Sequence, residues 1–389
     1  MKYLKFMPVA AIDDASRNKR ELAVAKEYGY DCYCYCDQSE GAIPELYPDF
    51  KLIVSGCKRP LEEKNAVKRF LINFRNVFIY IKELKPIKAD IISCHNIVSL
   101  AVAYFTYAFR KNKPKFIYDS HEFELKKKPR NIIIYSFIKS LEFFLLKKSS
   151  LTIMINDGIA DEVAKIHKLD YPRVVVRSTP DYWNIDSSVS DEMHREFCDK
   201  LGVSGDSFII MYHGKLCRYR GIEEICKAMS MVPDIYLVTV GDYANSRYKT
   251  AFESMVNQYQ ISSRILQYPA QPLCELWKYV SAADCGIVMN NTDNPNYIYA
   301  LPNKFFENIQ SMAPIICSDS VEMARIIRQY DIGILSPSGD AEKLAENIEK
   351  MRTDKELYRK FKFNLVKAKD ELCWEKEKEK LKAAFAKYL

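Results

Sequence analysis

Residues 285–319 read CGIVMNNTDNPNYIYALPNKFFENIQSMAPIICSD, and their reading decides the fold. CGIVMN is a short, wholly apolar run, PIICSD is another, and both read as buried strands. Between them an irregular polar stretch leads into Pro302, a residue suited to a helix's first turn, after which Phe305, Phe306, Ile309 and Met312 recur on one helical face. Strand, helix, strand is the repeat of a parallel α/β sheet.

The same rhythm runs through the chain. LKFMPVA, YDCYCYC, KLIVSG, ADIISCHN, KFIYDS, LTIMIN and RVVVRS read as strands of the first half, and FIIMYHG, IYLVTVGD and RILQYP join the two above and IGILS in the second. Amphipathic stretches such as NKRELAVAKEYG and RGIEEICKAMSM lie between them. The segment DYWNIDSSVSDEMHREFCDKLGVSGDS, residues 181–207, carries no strand pattern and clusters Ser, Asp and Gly, which marks a junction near residues 185–205. The expected organisation is a first domain over 1–190, a second over 206–370, and a terminal helix over 371–389. Two doubly wound sheets would place ligand sites in the loops that follow their strands.

At 389 residues, 48% hydrophobic and 28% charged, the chain has the make-up of a soluble two-domain globular protein. Its twelve cysteines are scattered, several lie inside strand runs, and none forms a metal-type CxxC pair, which reads as reduced core thiols in a cytosolic protein. The opening MKYLKFMPVAAIDD has too short an apolar run for a secretory signal, and no stretch reaches the ~18 apolar residues of a spanning helix. Residues 51–150 hold 21 Lys and Arg against 8 Asp and Glu, so the basic excess is local and favours an anionic partner. Nucleic acid fits that charge, but no nucleic-acid motif accompanies it.

Two loops carry candidate chemistry. HGKLCRYRG, residues 213–221, sets Gly214, Lys215, Arg218 and Arg220 between a strand and a helix, the composition of a diphosphate clamp; a solvated basic turn is the ordinary alternative. It is not a Walker loop, for GxxxxGK[ST] is absent. At the start of the helix after CGIVM, Lys304 and Glu307 stand at i, i+3 spacing, where amides hold phosphate and a carboxylate accepts two ribose hydroxyls. The alternative there is a surface ion pair worth a few tenths of a kcal/mol.

Taken together with VGD at 240–242 and RILQYPAQPLCELWKYVSAADCGIV at 264–288, these loops resemble the nucleotide-sugar domain of GT-B glycosyltransferases of family 4, and KFIYDSHE at 115–122 is similar to the DxHE turn of one branch. The resemblance implies an α/β GT-B fold of two Rossmann-like domains facing a shared cleft. It implies a retaining, metal-independent transferase without cofactor, passing a sugar from a UDP- or GDP-linked donor to a glycan or lipid-linked acceptor in cell-surface polysaccharide or glycoconjugate biosynthesis. Lys215 falls where the family places its first diphosphate cation, usually Arg, and Arg220 where it usually has Lys, with Gly214 beside them. Glu307 matches the second glutamate of the E-x7-E motif, the ribose ligand. Tyr299 occupies the position of the first, so Asn296, Tyr297 and Asn303 are the neighbours placed to substitute, with Lys304 also near sugar or phosphate. Gly241, Tyr268 and Gln271 mark the base region. His121 matches a histidine that contacts the donor sugar and is the catalytic candidate, with Asp119 and Glu122 orienting its turn; a turn-capping histidine is the alternative. The first strand's exit loop lacks the glycine pair of many members, leaving Arg17 and Lys19 as possible anion contacts.

The stretch KKKPRNIIIYSFIKSLEFFLLKK, residues 126–148, is nearly apolar with basic ends and reads either as an interfacial helix on an anionic membrane or as a buried helix. The expected location is cytoplasmic, or peripheral on the inner face of the cell membrane. DELCWEKEKEKLKAAFAKYL, residues 370–389, reads as a helix crossing back to the first domain. A nucleotide-sugar epimerase on the same fold and a degenerate, purely binding protein are the alternatives. The first would lack any use for segment 126–148, and the second would follow from the missing first glutamate.

Overall fold

In the computed structural model the described residues are 1–8, 16–36, 50–57, 65–126, 131–292 and 295–389. Residues 9–15 of the first exit loop, Lys127 to Arg130 of the basic segment and the side chain of Asn296 lie outside them. The chain forms two compact units, Met1–Arg177 with Lys378–Leu389, and Ser178–Glu377.

The first unit runs β1 (Lys2–Met7), α1 (Ser16–Glu27), β2 (Asp31–Cys36), β3 (Lys51–Val54), α2 (Ala66–Leu84), β4 (Ile91–Cys94), α3 (Ile97–Tyr107), β5 (Lys115–Ser120), α4 (Ile132–Leu146), β6 (Leu151–Met154), α5 (Asp157–His167) and β7 (Arg173–Val175). Its sheet has seven parallel strands in the order β3-β2-β1-β4-β5-β6-β7. The second runs α6 (Ser187–Leu201), β8 (Phe208–His213), α7 (Ile222–Met231), β9 (Ile235–Val240), α8 (Ser246–Gln258), β10 (Ile265–Tyr268), α9 (Leu273–Ser281), β11 (Cys285–Val288), α10 (Pro295–Ile298), α11 (Asn303–Gln310), β12 (Ile315–Ser318), α12 (Val321–Tyr330), β13 (Gly333–Ser336), α13 (Ala341–Thr353) and α14 (Lys355–Glu371). Its six strands are parallel in the order β10-β9-β8-β11-β12-β13. Both sheets are doubly wound, and the winding reverses between β1 and β4 and between β8 and β11, the places where such sheets open a crevice at their carboxyl ends.

All thirteen apolar runs are strands, because a parallel strand covered on both faces has no polar alternation. The polar segment 181–207 holds α6, which belongs to the second unit, capped by Asp186 and ended by left-handed Gly202, with Phe197 and Cys198 buried. The last helix, α15 (Trp374–Tyr388), delivers Phe385 against Tyr3 and Tyr28, and Lys378 and Lys382 to Glu27, all within the first unit. The twelve cysteines are free thiols. None of the described helices is long and apolar enough to cross a membrane.

In the described part of segment 126–148, α4 is neither wholly exposed nor wholly buried. In α4 Leu145 and Leu146 are buried, while Ile133 is 74% and Phe137 67% exposed, so the amino-terminal half stands out of the core. Glu142 is buried against His167 at 2.8 Å.

Candidate functional site

At the carboxyl edge of the second sheet, beside the β8/β11 reversal, lies a cavity of about 580 Å³. Three elements shape it. β8 ends in His213 and hands over to Gly214 and Lys215; the loop after β9 brings Gly241 and Asp242; α11 enters from above with Asn303, Lys304 and Glu307. Arg220 and Gln271 complete the wall.

Close backbone approach makes this geometry. A Cβ on Gly241 would overlap the carbonyl of Gly214, and one on Gly221 would overlap Met289, so both loops need glycine there. Asp242 Oδ1 accepts from the amide of Ala270 at 3.2 Å and the Gly241 amide donates to the Tyr268 carbonyl at 3.0 Å, which ties the ends of β9 and β10 together. α11 is pinned by Phe305, Phe306 and Ile309, all fully buried. Each such side chain contributes about 1.5–3 kcal/mol on burial. Gly286 of β11 lets the helix lie against the strand, since a Cβ there would overlap the side chain of Asn308.

The charged groups are arranged with care. Glu307, 8% exposed, does not pair with Lys304. Instead His213 Nε2 donates to its Oε2 at 2.9 Å, which fixes the carboxylate and leaves Oε1 as an acceptor. His213 Nδ1 is buried without a partner. Lys304, 7% exposed, makes no ion pair; its Nζ lies 3.9 Å from the centre of the Tyr212 ring. Burial, then the charge of Arg220, brings its ammonium down to about 7. The Arg220 guanidinium lies 5.9 Å from the Tyr297 ring. Lys215 is exposed at the rim. The surface ion pair expected as the ordinary alternative for Lys304 and Glu307 is therefore absent: both are inside the cavity wall.

Of the residues singled out from sequence, Gly214, Lys215, Arg220, Gly241, Gln271, Asn303, Lys304 and Glu307 converge on this cavity. Tyr268 does not present its side chain there. Its hydroxyl meets Glu196 and Lys200 of α6, and only its carbonyl, through Gly241, serves the loop. Tyr299, in the link between α10 and α11, is not among the lining residues. Sequence reasoning missed Tyr212, Asp242 and the tie between His213 and Glu307; the histidine at a strand end was the available signal.

His121 belongs to the first unit, one residue beyond β5. Its Nε2 donates to Asp119 Oδ2 at 2.8 Å. Asp119 is fully buried and also receives Lys5 Nζ at 2.7 Å and Arg17 Nε and Nη2 at 3.1 and 3.0 Å. Burial pushes this carboxyl up, but Arg17, Lys5 and His121 outweigh it and hold it well below the usual range. Lys5, wholly buried in β1, reaches Glu21 as well, at 2.5 Å. Arg17 is thus committed to Asp119 and the Val176 carbonyl rather than to a ligand. The His95 ring lies 5.9 Å from that of His121 and, driven down by burial to about 3, is neutral. No group of three or more His, Cys, Asp or Glu placed to hold a metal ion occurs among the described residues.

Residues 194–367 match the family of glycosyl transferases group 1. That stretch contains the whole cavity. No curated protein matches the chain. Among solved structures, sucrose-phosphate synthase from Thermosynechococcus elongatus superposes with a TM-score of 0.76 at 16% identity over 100% of this chain and 99% of its own. Anabaena Alr3699/HepE, in complex with UDP-glucose, gives 0.71 at 13% over 100% of both chains. WaaG, a glycosyltransferase involved in lipopolysaccharide biosynthesis, gives 0.66 at 15% over 99% of both. The likeness shows the fold, two parallel-sheet α/β domains of the GT-B class.

Proposed function

We propose that this chain is a family 4 glycosyltransferase of the DxHE branch that moves a hexosyl or N-acetylhexosaminyl group from a UDP- or GDP-linked donor to a glycan or lipid-linked acceptor, with retention and without a metal ion. The observation that carries the reading is the convergence of Lys215, Arg220 and Lys304 on one cavity with a carboxylate, Glu307, held ready by His213. Diphosphate is a leaving group whose developing charge needs stabilisation, and preorganised cations in a part-buried cavity supply it. Glu307 Oε1 accepts from the ribose hydroxyls, and backbone around Gly241 and Gln271 receives the base. Asn303 stands nearest the sugar in this reading, and His121, steadied by Asp119, contacts it during transfer. The HepE and WaaG likenesses lend support, since those proteins are named for UDP-glucose binding and for lipopolysaccharide biosynthesis.

An acceptor at a lipid surface accords with the first unit. Phe74 and Phe78 of α2, Phe105 of α3, Phe109 at 99% exposure and Ile133 and Phe137 of α4 are all exposed, and α2, α3 and α4 pack in series. The stretch that contains them has the basic excess, so the matching occupant is an anionic bilayer on the cytoplasmic side. Purified protein incubated with UDP- and GDP-sugars and a lipid-linked acceptor should release nucleoside diphosphate, and Lys215→Ala and Arg220→Ala should each slow release at least tenfold. Release that both variants leave untouched would end the donor-site assignment.

A further inference from the structure

Lys304 holds an unusual position even for a nucleotide site. An ammonium this deeply buried ordinarily has a carboxylate beside it, because an unpaired buried charge is costly. Here the carboxylates of the wall are engaged elsewhere, Glu307 with His213 at 2.9 Å and Asp242 with the amide of Ala270 at 3.2 Å, and the Nζ rests on the face of Tyr212. Two cations, Lys215 and Arg220, and two carboxylates, Glu307 and Asp242, share the wall with it, and neither carboxylate is ion-paired to it. The loop after β8 contributes Lys215, Cys217 and Arg220, β8 itself Tyr212 and His213, α11 Glu307, the loop after β9 Asp242, and α10 Tyr297 beneath Arg220. Lys304 thus lines, with Lys215 and Arg220, one cavity of about 580 Å³.

We propose that Lys304 is a proton-coupled anion ligand that takes up a proton as the donor diphosphate binds. This rests on the donor-site reading and deepens it. Burial and Arg220 place the free group's titration at about 7, so near neutrality half the empty sites lack the proton. An arriving diphosphate reverses the local field and restores the charge. The consequence is that donor affinity falls as pH rises, by about tenfold between pH 6 and 8 if only the charged form binds, since binding and protonation are linked.

The test is calorimetric titration of UDP-glucose and GDP-mannose at pH 7 in PIPES and in imidazole, buffers of different ionisation enthalpy. Both donors are diphosphate diesters with no phosphate proton that titrates near neutrality. Wild-type protein should show a buffer-dependent enthalpy corresponding to uptake of about half a proton per site. Lys304→Arg, which keeps the charge, should bind without uptake, and Lys304→Met should bind at least tenfold more weakly, also without uptake. His213→Gln should retain the uptake, which separates lysine from histidine as its seat. Binding with the same enthalpy in both buffers, or uptake that survives both Lys304 substitutions, would overturn the inference and leave the donor site standing. No binding of either donor by the wild-type chain would remove both.

Discussion

In the role proposed for Glu307, a carboxylate that holds two ribose hydroxyls has to be ionised and fixed, and His213 holds it by a hydrogen bond at 2.9 Å. Loss of a hydrogen bond to a charged group costs about 1.5–3 kcal/mol, so His213→Ala should weaken nucleotide binding roughly tenfold or more, measured by titration, with little change in fold. The pair was hard to see in the sequence because its members are 94 residues apart. Lysine in β1 was equally opaque: nothing in the strand run LKFMPVA sets its lysine apart, whereas Lys5 is wholly buried against Asp119 and Glu21. Asp119 has its folded-state pKa below the unfolded one, so the stability it gives is present above about pH 4 and is lost as pH falls through the folded value. Asp119→Asn should cost about 3–5 kcal/mol in urea unfolding, for it strands buried cations. Lys304 has the opposite sign. Its folded pKa is depressed, so burial of its charge costs stability below about 7, and that cost lifts as pH climbs toward the unfolded value. Lys304→Met should therefore raise the melting temperature of the free protein at pH 7 while it weakens donor binding.

The elements were far more legible than the pairs. Buried parallel strands write themselves as unbroken apolar runs, and a helix that must cover one of them shows a narrow apolar face, as NKFFENIQ does in α11. Less visible was α6, whose SSVSDEMHREFCDKL buries little beyond Phe197 and Cys198 and so lacks a clear stripe. The placement of α11 against β11 depends on one absent methyl group. Gly286→Ala would force Asn308 away and tilt the helix that carries Lys304 and Glu307, and overpacking of this kind costs about 1–3 kcal/mol. Its nucleotide affinity should drop with its stability, in contrast to His213→Ala. The exposed half of α4 makes a separate prediction: Ile133→Asp combined with Phe137→Glu should abolish sedimentation with phosphatidylglycerol vesicles and leave nucleotide titration unchanged. Wild-type protein that ignores such vesicles would remove the bilayer as occupant of that face.

At the scale of the whole chain, two doubly wound units are built from local strand–helix repeats, which is why the architecture could be read from periodicity alone, while the exact division at Arg177 and Ser178 could not. α15 begins in one unit and finishes on the other, so truncation before Lys378 should expose Tyr3 and Tyr28 and destabilise the first unit. The cavity proposed for the donor lies wholly in the second unit, and its lining side chains carry positive charge. EDTA should therefore leave both nucleotide affinity and turnover within twofold of their values with magnesium, and a loss beyond tenfold would require a metal in the mechanism. The most direct test of the central claim is calorimetric titration of UDP and GDP into the wild-type chain and into Glu307→Ala without added metal. The account predicts that one nucleotide binds the wild type and binds the variant at least tenfold more weakly, about 1.4 kcal/mol. Equal binding by the variant, or no binding of either nucleotide by the wild type, would contradict it.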